Sequence, residues 1–310
     1  MLFNNLRIRK RLSLIIEKRF RKNWKNTEPN SNISTDNVAV VIVNYNTKEL
    51  LTLLLFSIYK NLGIEQIAKI VIVDNNSNDG SVELLRTLDS KGIVHLISNK
   101  SQKYHGPALN QGIEYLNKNK NFFAKPFRYI WILDSDVIIL KNNVIHEAVR
   151  FMKKTNASVI GQFQFNTSEE GDPHVSSILI DPVKVWNRQI HPFTENGMPT
   201  ILFYKDIRKH ELKIIDFPFR SENYIIHLGE GTLMQIFNNN NSENKQYKWA
   251  SLHHKHHYGG NKFGESLLNE VYQLFIAETV ELTDSNVINT LESTKDISIK
   301  FNEILLKNNS

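Results

Sequence analysis

VAVVIVNYNT, residues 38–47, is the stretch from which the rest of the chain is read. Val38 to Val43 is a continuous apolar run, long enough for a strand buried on both faces. It stops at Asn44-Tyr45-Asn46-Thr47, and a leucine-rich helical pattern follows from Lys48 to Tyr59. The phrase then repeats. Ile70 to Val73 is a second buried strand, ending in Asp74-Asn75-Asn76-Ser77-Asn78-Asp79-Gly80, and its helix runs over Val82, Leu85 and Leu88. Val94 to Ile97 is a third strand. A helix begins near Gly106-Pro107, with proline in its first turn, and carries Leu109, Ile113 and Leu116 on one face. Tyr129 to Leu133 is a fourth strand, and it ends at Asp134-Ser135-Asp136.

Strand and helix alternating in this way predict an α/β fold with a parallel sheet covered on both sides. In such sheets ligands bind beyond the carboxyl ends of the strands. The polar clusters at 44–46, 74–78 and 134–136 all fall there. After Ala157 the rhythm loosens. Val159 to Phe165 and Ile178 to Ile180 read as short strands between long loops rich in Pro, His and Asn, the kind of loop that forms a binding face or lid. Gly264 to Leu282 and Val287 to Leu306 read as helices.

Working outward, composition bounds the rest. Of 310 residues, 41% are apolar and 23% charged, the balance of a soluble globular protein. There is no cysteine, which excludes disulfides, thiolate metal sites and a cysteine nucleophile and fits a reducing cytoplasm. No run of 18 apolar residues predicts a membrane span, and the apolar piece Leu12–Ile16 is too short and too arginine-flanked for a signal peptide. The formal charge of +6 is unevenly placed. Residues 1–26 hold nine Lys/Arg against Glu17, while the other 284 carry 29 basic and 31 acidic side chains. The high pI therefore belongs to the tail, and a nucleic-acid-binding surface over the fold is not expected. Within the tail, Ile8, Leu12, Ile15, Ile16, Phe20 and Trp24 recur at helical spacing between the basic residues. Two readings stand: a helix lying on an anionic membrane surface, or one that is solvated or packed on a partner. Thr27 to Asn37 is a polar linker.

Asp134-Ser135-Asp136 carries the sharpest chemistry. Two carboxylates one residue apart, just past a buried strand, suit Mg²⁺ or Mn²⁺ bridging to substrate phosphates. Such an ion neutralises charge on a diphosphate leaving group. The plain alternative is a helix cap followed by a solvated acid.

Three segments together, Val40-Val41-Ile42-Val43-Asn44-Tyr45-Asn46, Ile72-Val73-Asp74-Asn75-Asn76-Ser77-Asn78-Asp79-Gly80 and Leu133-Asp134-Ser135-Asp136, resemble the family 2 glycosyltransferases of the GT-A fold. Similar too are Asn99, Gly106-Pro107-Ala108-Leu109-Asn110-Gln111-Gly112 and His227-Leu228-Gly229-Glu230-Gly231-Thr232, so that the resemblance covers roughly residues 38–235. It implies an inverting transferase with a divalent ion, a nucleotide-sugar donor (a UDP-, GDP- or dTDP-sugar) and a glycan or lipid-linked acceptor. Asn44, Tyr45 and Asn46 would line base and ribose, and Asp74 would accept hydrogen bonds from the base edge. Asn76, Gly106, Asn110, Asp134 and Ser135 complete the donor set, Gly106 and Asn110 by letting their helix approach it. Asp134, Asp136 and His227 would hold the metal. Each has a bland counterpart: Tyr45 could pack, Asn44 or Asn46 could cap the next helix, Asp74 and Asn76 could form the turn, and His227 could sit half-buried in the core.

The expected organisation is a basic helix and linker at 1–37, a GT-A domain at 38–260 with its nucleotide-binding half at 38–140 and its acceptor and metal-loop half at 141–260, and C-terminal helices at 261–310. A cytoplasmic place is implied, with contact to the inner membrane face through residues 1–26. Inversion needs a base for the acceptor hydroxyl, and the acidic pair many relatives carry there has no clear counterpart. Glu195 is the first candidate, followed by Asp181 and Asp206. Four histidines at 253–257 could bind a transition metal or phosphate, or simply face solvent. Two other readings compete with this one. An inactive GT-A-like module binding nucleotide sugar or glycan stays open. A sugar-1-phosphate nucleotidyltransferase does not, because residues 44–47 lack the Gly-rich, Arg-containing phosphate loop.

Overall fold

The computed structural model describes residues 35–62, 66–164, 171–186, 190–194 and 199–227. The basic tail, Glu195, the histidines at 253–257 and the patterns over 264–306 lie outside them.

Seven strands form the main sheet, in the order β3-β2-β1-β4-β7-β6-β8. These are β1 (Val38–Asn44), β2 (Ile67–Asp74), β3 (His95–Ser98), β4 (Tyr129–Asp134), β6 (Val159–Gln164), β7 (Asp172–Ile180) and β8 (Ile214–Asp216). The first four are parallel, with Val41 of β1 facing both Val71 and Ile132. The expected parallel sheet ends there, because β7 runs antiparallel to β4 and to β6. Only residues 165–171 separate β6 from β7, too few for the crossover that a parallel pair requires. The sheet is mostly parallel with one reversed strand, and the reversal begins where the sequence rhythm loosened. A second sheet pairs β5 (Val137–Ile139) antiparallel with β9 (Ile225–His227).

The helices are α1 (Lys48–Asn61), α2 (Ser81–Ser90), α3 (His105–Asn119), α4 (Val144–Thr155), α5 (Pro182–Trp186) and α6 (Ile201–Lys209). They divide between the two faces of the sheet, and β1 shows why its run is unbroken. Val38, Val40 and Ile42 join one core with Leu51, Leu54, Leu85 and Met152. Ala39, Val41 and Val43 join the other with Leu109, Ile113, Leu116 and Phe203. Both faces are dry, and each large side chain so buried contributes about 1.5–3 kcal/mol. On the second face α3 lies close against β1 at Gly112, where a Cβ would come within 2.6 Å of Val41 Cγ1. No described helix is long and apolar enough to cross a membrane.

Candidate active site

The parallel strands end together, and their ends are tied by buried hydrogen bonds. Asn44 and Asp74 are register partners at the last positions of β1 and β2. Neither has any exposed surface. Asn44 Nδ2 donates to Asp74 Oδ2 at 2.8 Å and to Ser77 Oγ at 3.1 Å, and its Oδ1 accepts from Thr47 Oγ1 at 2.7 Å. Thr47 Oγ1 is also 2.8 Å from Ser135 Oγ, which links the ends of β1 and β4. Asp74 Oδ1 accepts the Ser77 amide at 3.0 Å, the turn chemistry its sequence offered. Asn44 and Asp74, expected to line the base and read its edge, are bonded to each other and to the loop. Polar groups buried at strand ends must be satisfied, and these two satisfy each other and the loop.

What the ends do present is the loop above them. Asn46 (φ 53°) and Asn76 (φ 72°) both adopt left-handed backbone, which asparagine tolerates. Asn46 N–H donates to Ser77 Oγ at 3.0 Å, and its side-chain oxygen accepts the Asn78 amide at 2.8 Å. Tyr45 is half-buried and Asn76 exposed, so these three form the rim. Neither Asn44 nor Asn46 caps α1. Asp79 does, accepting the Lys48 amide at 2.7 Å and the Ser81 amide at 3.0 Å, so that one carboxylate serves the positive ends of α1 and α2.

Past β4 lies the charged centre. The β5–β9 pairing sets His227 opposite Val137, the residue after Asp136. His227 Nε2 is consequently 3.3 Å from Asp136 Oδ1 and 3.6 Å from Asp134 Oδ2. His105, at the start of α3, brings Nε2 to 3.5 Å from Asp134 Oδ1. His174 of β7 completes the group: its ring centroid is 5.1 Å from that of His227, and its Nδ1 is held 2.7 Å from Ser176 Oγ. Asp134, His174 and His227 can each offer a ligand atom within 4.8 Å of the others. Burial raises the Asp134 carboxyl above the usual carboxylate range; His105 pulls it back, Asp136 pushes it further up and His227 pulls it down. For His227 burial acts downward, but Asp136, by charge and hydrogen bond, and Asp134 outweigh it and lift the imidazole above its ordinary value.

The residues present fit a divalent ion. Asp134 Oδ1 is buried with no hydrogen-bond donor. Two carboxylates and two imidazoles gathered around such a carboxylate are a ligand set for a cation. Asp134, Asp136 and His227 stand together as expected. His105 and His174 were not expected. His105 lies just before the Gly106-Pro107 helix start, where its neighbours drew the reading, and His174 reaches the site only because β7 runs antiparallel past β4.

The remaining sequence candidates separate. Gly106 and Asn110, expected to let their helix approach the donor, hold the loop ahead of residue 195. A Cβ at Gly106 would fall 2.1 Å from Thr194 O. Asn110 Nδ2 donates to Phe193 O at 2.8 Å, and its Oδ1 accepts the Phe193 amide at 3.1 Å. Asp181 follows the last residue of β7, and Ile180 pairs with Ile130 near the start of β4, so it sits at the amino ends of the parallel strands. There it binds Arg128 at 2.7 Å and accepts the amides of Val183 and Lys184, capping α5. With four residues of β4 between them, Asp181 is about 17 Å from Asp134 along the strand. It is removed from the candidates for the base. Asp206, on α6, accepts the His191 amide at 2.8 Å and pairs with the His191 ring, holding the 190–194 segment.

The chain matches the model of glycosyl transferase family 2 over residues 39–210, more than half its length, and belongs to that family. It is a glycosyltransferase of the GT-A fold. Among solved structures it is similar to TarS 1–349 of S. aureus in complex with UDP-GlcNAc (12% identity, TM-score 0.46, covering 87% of this chain and 90% of that one). It is similar also to the mannosyltransferase PcManGT from Pyrobaculum calidifontis in complex with GDP-Man and Mn2+ (13%, 0.47, 96% and 94%). A third is glucosyl-3-phosphoglycerate synthase from Mycobacterium tuberculosis (14%, 0.42, 58% and 68%). No curated protein matches the chain.

Proposed function

We propose that this glycosyltransferase moves a sugar from a nucleotide-diphosphate donor to an acceptor hydroxyl with inversion, in the synthesis of a cell-surface glycan or glycolipid. The observation that carries the reading is the cluster past the end of β4: Asp134, His174 and His227 can each offer a ligand atom within 4.8 Å of the others, Asp136 lies against His227, and Asp134 Oδ1 is buried with no hydrogen-bond donor. These four residues would hold Mn²⁺ or Mg²⁺, and the imidazoles favour Mn²⁺, since Mg²⁺ prefers an all-oxygen shell. When bound, the ion supplies Lewis-acid neutralisation of the departing diphosphate.

The chain's own residues supply the rest. Tyr45, Asn46 and Asn76 offer the nucleoside an aromatic face and amide groups at the rim. Tyr45 carries the stacking, because the side chains of Asn44 and Asp74 are turned inward. The α3 amino terminus, which His105 places beside Asp134, would favour the negative charge of a donor phosphate. The Asn110 clasp fixes Phe193 and Thr194 beside that helix end, and Glu195, the next residue, takes the acceptor proton. The acceptor oxygen bonds to the anomeric carbon as the bond from that carbon to the diphosphate breaks on the opposite face. Each nucleotide sugar can be screened by thermal shift, with and without Mn²⁺. One donor, with the metal, should raise Tm, as any ligand that prefers the native state does. If no UDP-, GDP- or dTDP-sugar shifts Tm with either ion, the donor assignment fails.

A further inference from the structure

KNKNFFAKPFR, residues 118–128, has four cations, three phenylalanines and no acid. It includes the end of α3, a single 3-10 turn (Lys120–Phe122) and the approach to β4. Phe122 is 83% exposed, more than any other large apolar side chain among the described residues. Behind it the aromatic rings form a continuous half-buried strip. Phe127 lies 6.1 Å from Phe123, Phe123 lies 6.2 Å from Tyr115, and Tyr115 stacks on His95 at 3.7 Å. The strip backs the segment that carries the turn, and Phe122 projects from it. Lys118 pairs with Glu114 and Arg128 with Asp181; Lys120 opens the turn and Lys125 lies three residues past it.

Two further facts say what this face meets. First, α3 runs back across the sheet, so the turn lies at the amino ends of the parallel strands, the end opposite Asp134. Second, the chain enters the fold beside it. Asn37 Nδ2 donates to Pro126 O at 3.0 Å, and Asn37 O accepts the Arg128 amide at 3.0 Å. The 26 residues that carry nine Lys/Arg against one acid precede that point by a linker of eleven residues. The cations of residues 118–128 and one projecting aromatic ring thus share the end of the fold from which the chain leads back to the basic segment.

We propose that this end, with Phe122 at its tip, docks on an anionic lipid surface. The ring enters the headgroup region, Lys120 and Lys125 meet the lipid charge, and the basic tail supplies the second signal that stable attachment needs. A glycan would stack on broad exposed ring faces, whereas here Tyr115, Phe123 and Phe127 are half-buried against one another and Phe122 is the one of the four that projects. A neutral glycan also gains nothing from lysines. With β4 about 20 Å long, the reacting end then faces away from the membrane.

Because the chain has no cysteine, one introduced thiol reports one place. Full-length Phe122→Cys, carrying an environment-sensitive fluorophore, is mixed at low salt with phosphatidylcholine vesicles with and without phosphatidylserine. Ser101→Cys, exposed in the loop after β3 at the opposite end, is the control. The label at 122 should shift to the blue on anionic vesicles only, reversibly with salt, and the label at 101 should not. In cosedimentation the double variant Phe122→Ser/Lys125→Ser should bind these vesicles at least threefold more weakly than the unchanged chain, with Tm preserved. The proposal is overturned if the double variant sediments like the parent, if neutral vesicles bind as well, or if the label at 101 shifts instead. It is also overturned if a soluble glycan, and not lipid, shifts the label at 122.

Discussion

Asp181 is an acid that sequence position favoured and geometry removes. Its carboxylate holds Arg128 and caps α5, so Asp181→Asn should lower stability by about 1–3 kcal/mol, the cost of leaving a buried charge partner unmet, while kcat per folded molecule stays near the parent value. Asp206→Asn should loosen the His191 segment in the same way. Glu195→Gln should behave differently: turnover falls by roughly 10²–10⁴ with donor affinity and Tm retained. Melting curves read beside kcat separate the two patterns, and full turnover by Glu195→Gln moves the base elsewhere. The metal ligands carry a pH signature as well. Asp134 and His227 both hold their protons to higher pH than usual, and an ion must displace those protons to bind. Mn²⁺ affinity should therefore rise as pH is raised through and above the ordinary histidine range near about 6.5. Titration of the free-Mn²⁺ EPR signal at pH 6 and pH 8 checks this, and equal affinity at both contradicts the ligand set.

At the scale of elements, the strands of the first half were legible because burial on both faces forces an unbroken apolar run, and β1 through β4 appear within a few residues of their expected spans. Asn44 and Asp74 were legible as important, but their bond to each other was not. Sequence shows a polar residue at a strand end but not which way it turns, and here each turns toward the other. The second half was less legible for a physical reason. The reversal of β7 depends on a short β6–β7 connection, and the contribution of His174 to the site depends on that reversal, so neither leaves a local pattern. The α3 clasp is of the same kind: Gly106 reads as a helix-start glycine, and only the fold shows Thr194 against it. Gly106→Ala must push the 193–194 backbone away. We expect a loss of about 1–3 kcal/mol in stability, measured by denaturant unfolding, and a larger fall in kcat than in donor affinity. A variant as stable and as active as the parent would mean that the clasp does not position the loop.

Taken whole, the molecule has two ends with different chemistry. The carboxyl ends of the parallel strands gather two carboxylates and three histidines, and the amino ends gather lysines and an exposed aromatic ring. The family match fixes sugar transfer as the activity, so the central claim is that the first of these ends runs it with a metal ion. The most direct measurement is release of nucleoside diphosphate from the donor found by thermal shift. It is followed with Mn²⁺, with chelator, and with Asp136→Asn, a substitution that keeps the size of a side chain only 6% exposed. The account predicts turnover that is abolished by chelator, restored by Mn²⁺, and lost in Asp136→Asn although its Tm without metal matches the parent. Turnover that survives both the chelator and the substitution would contradict it.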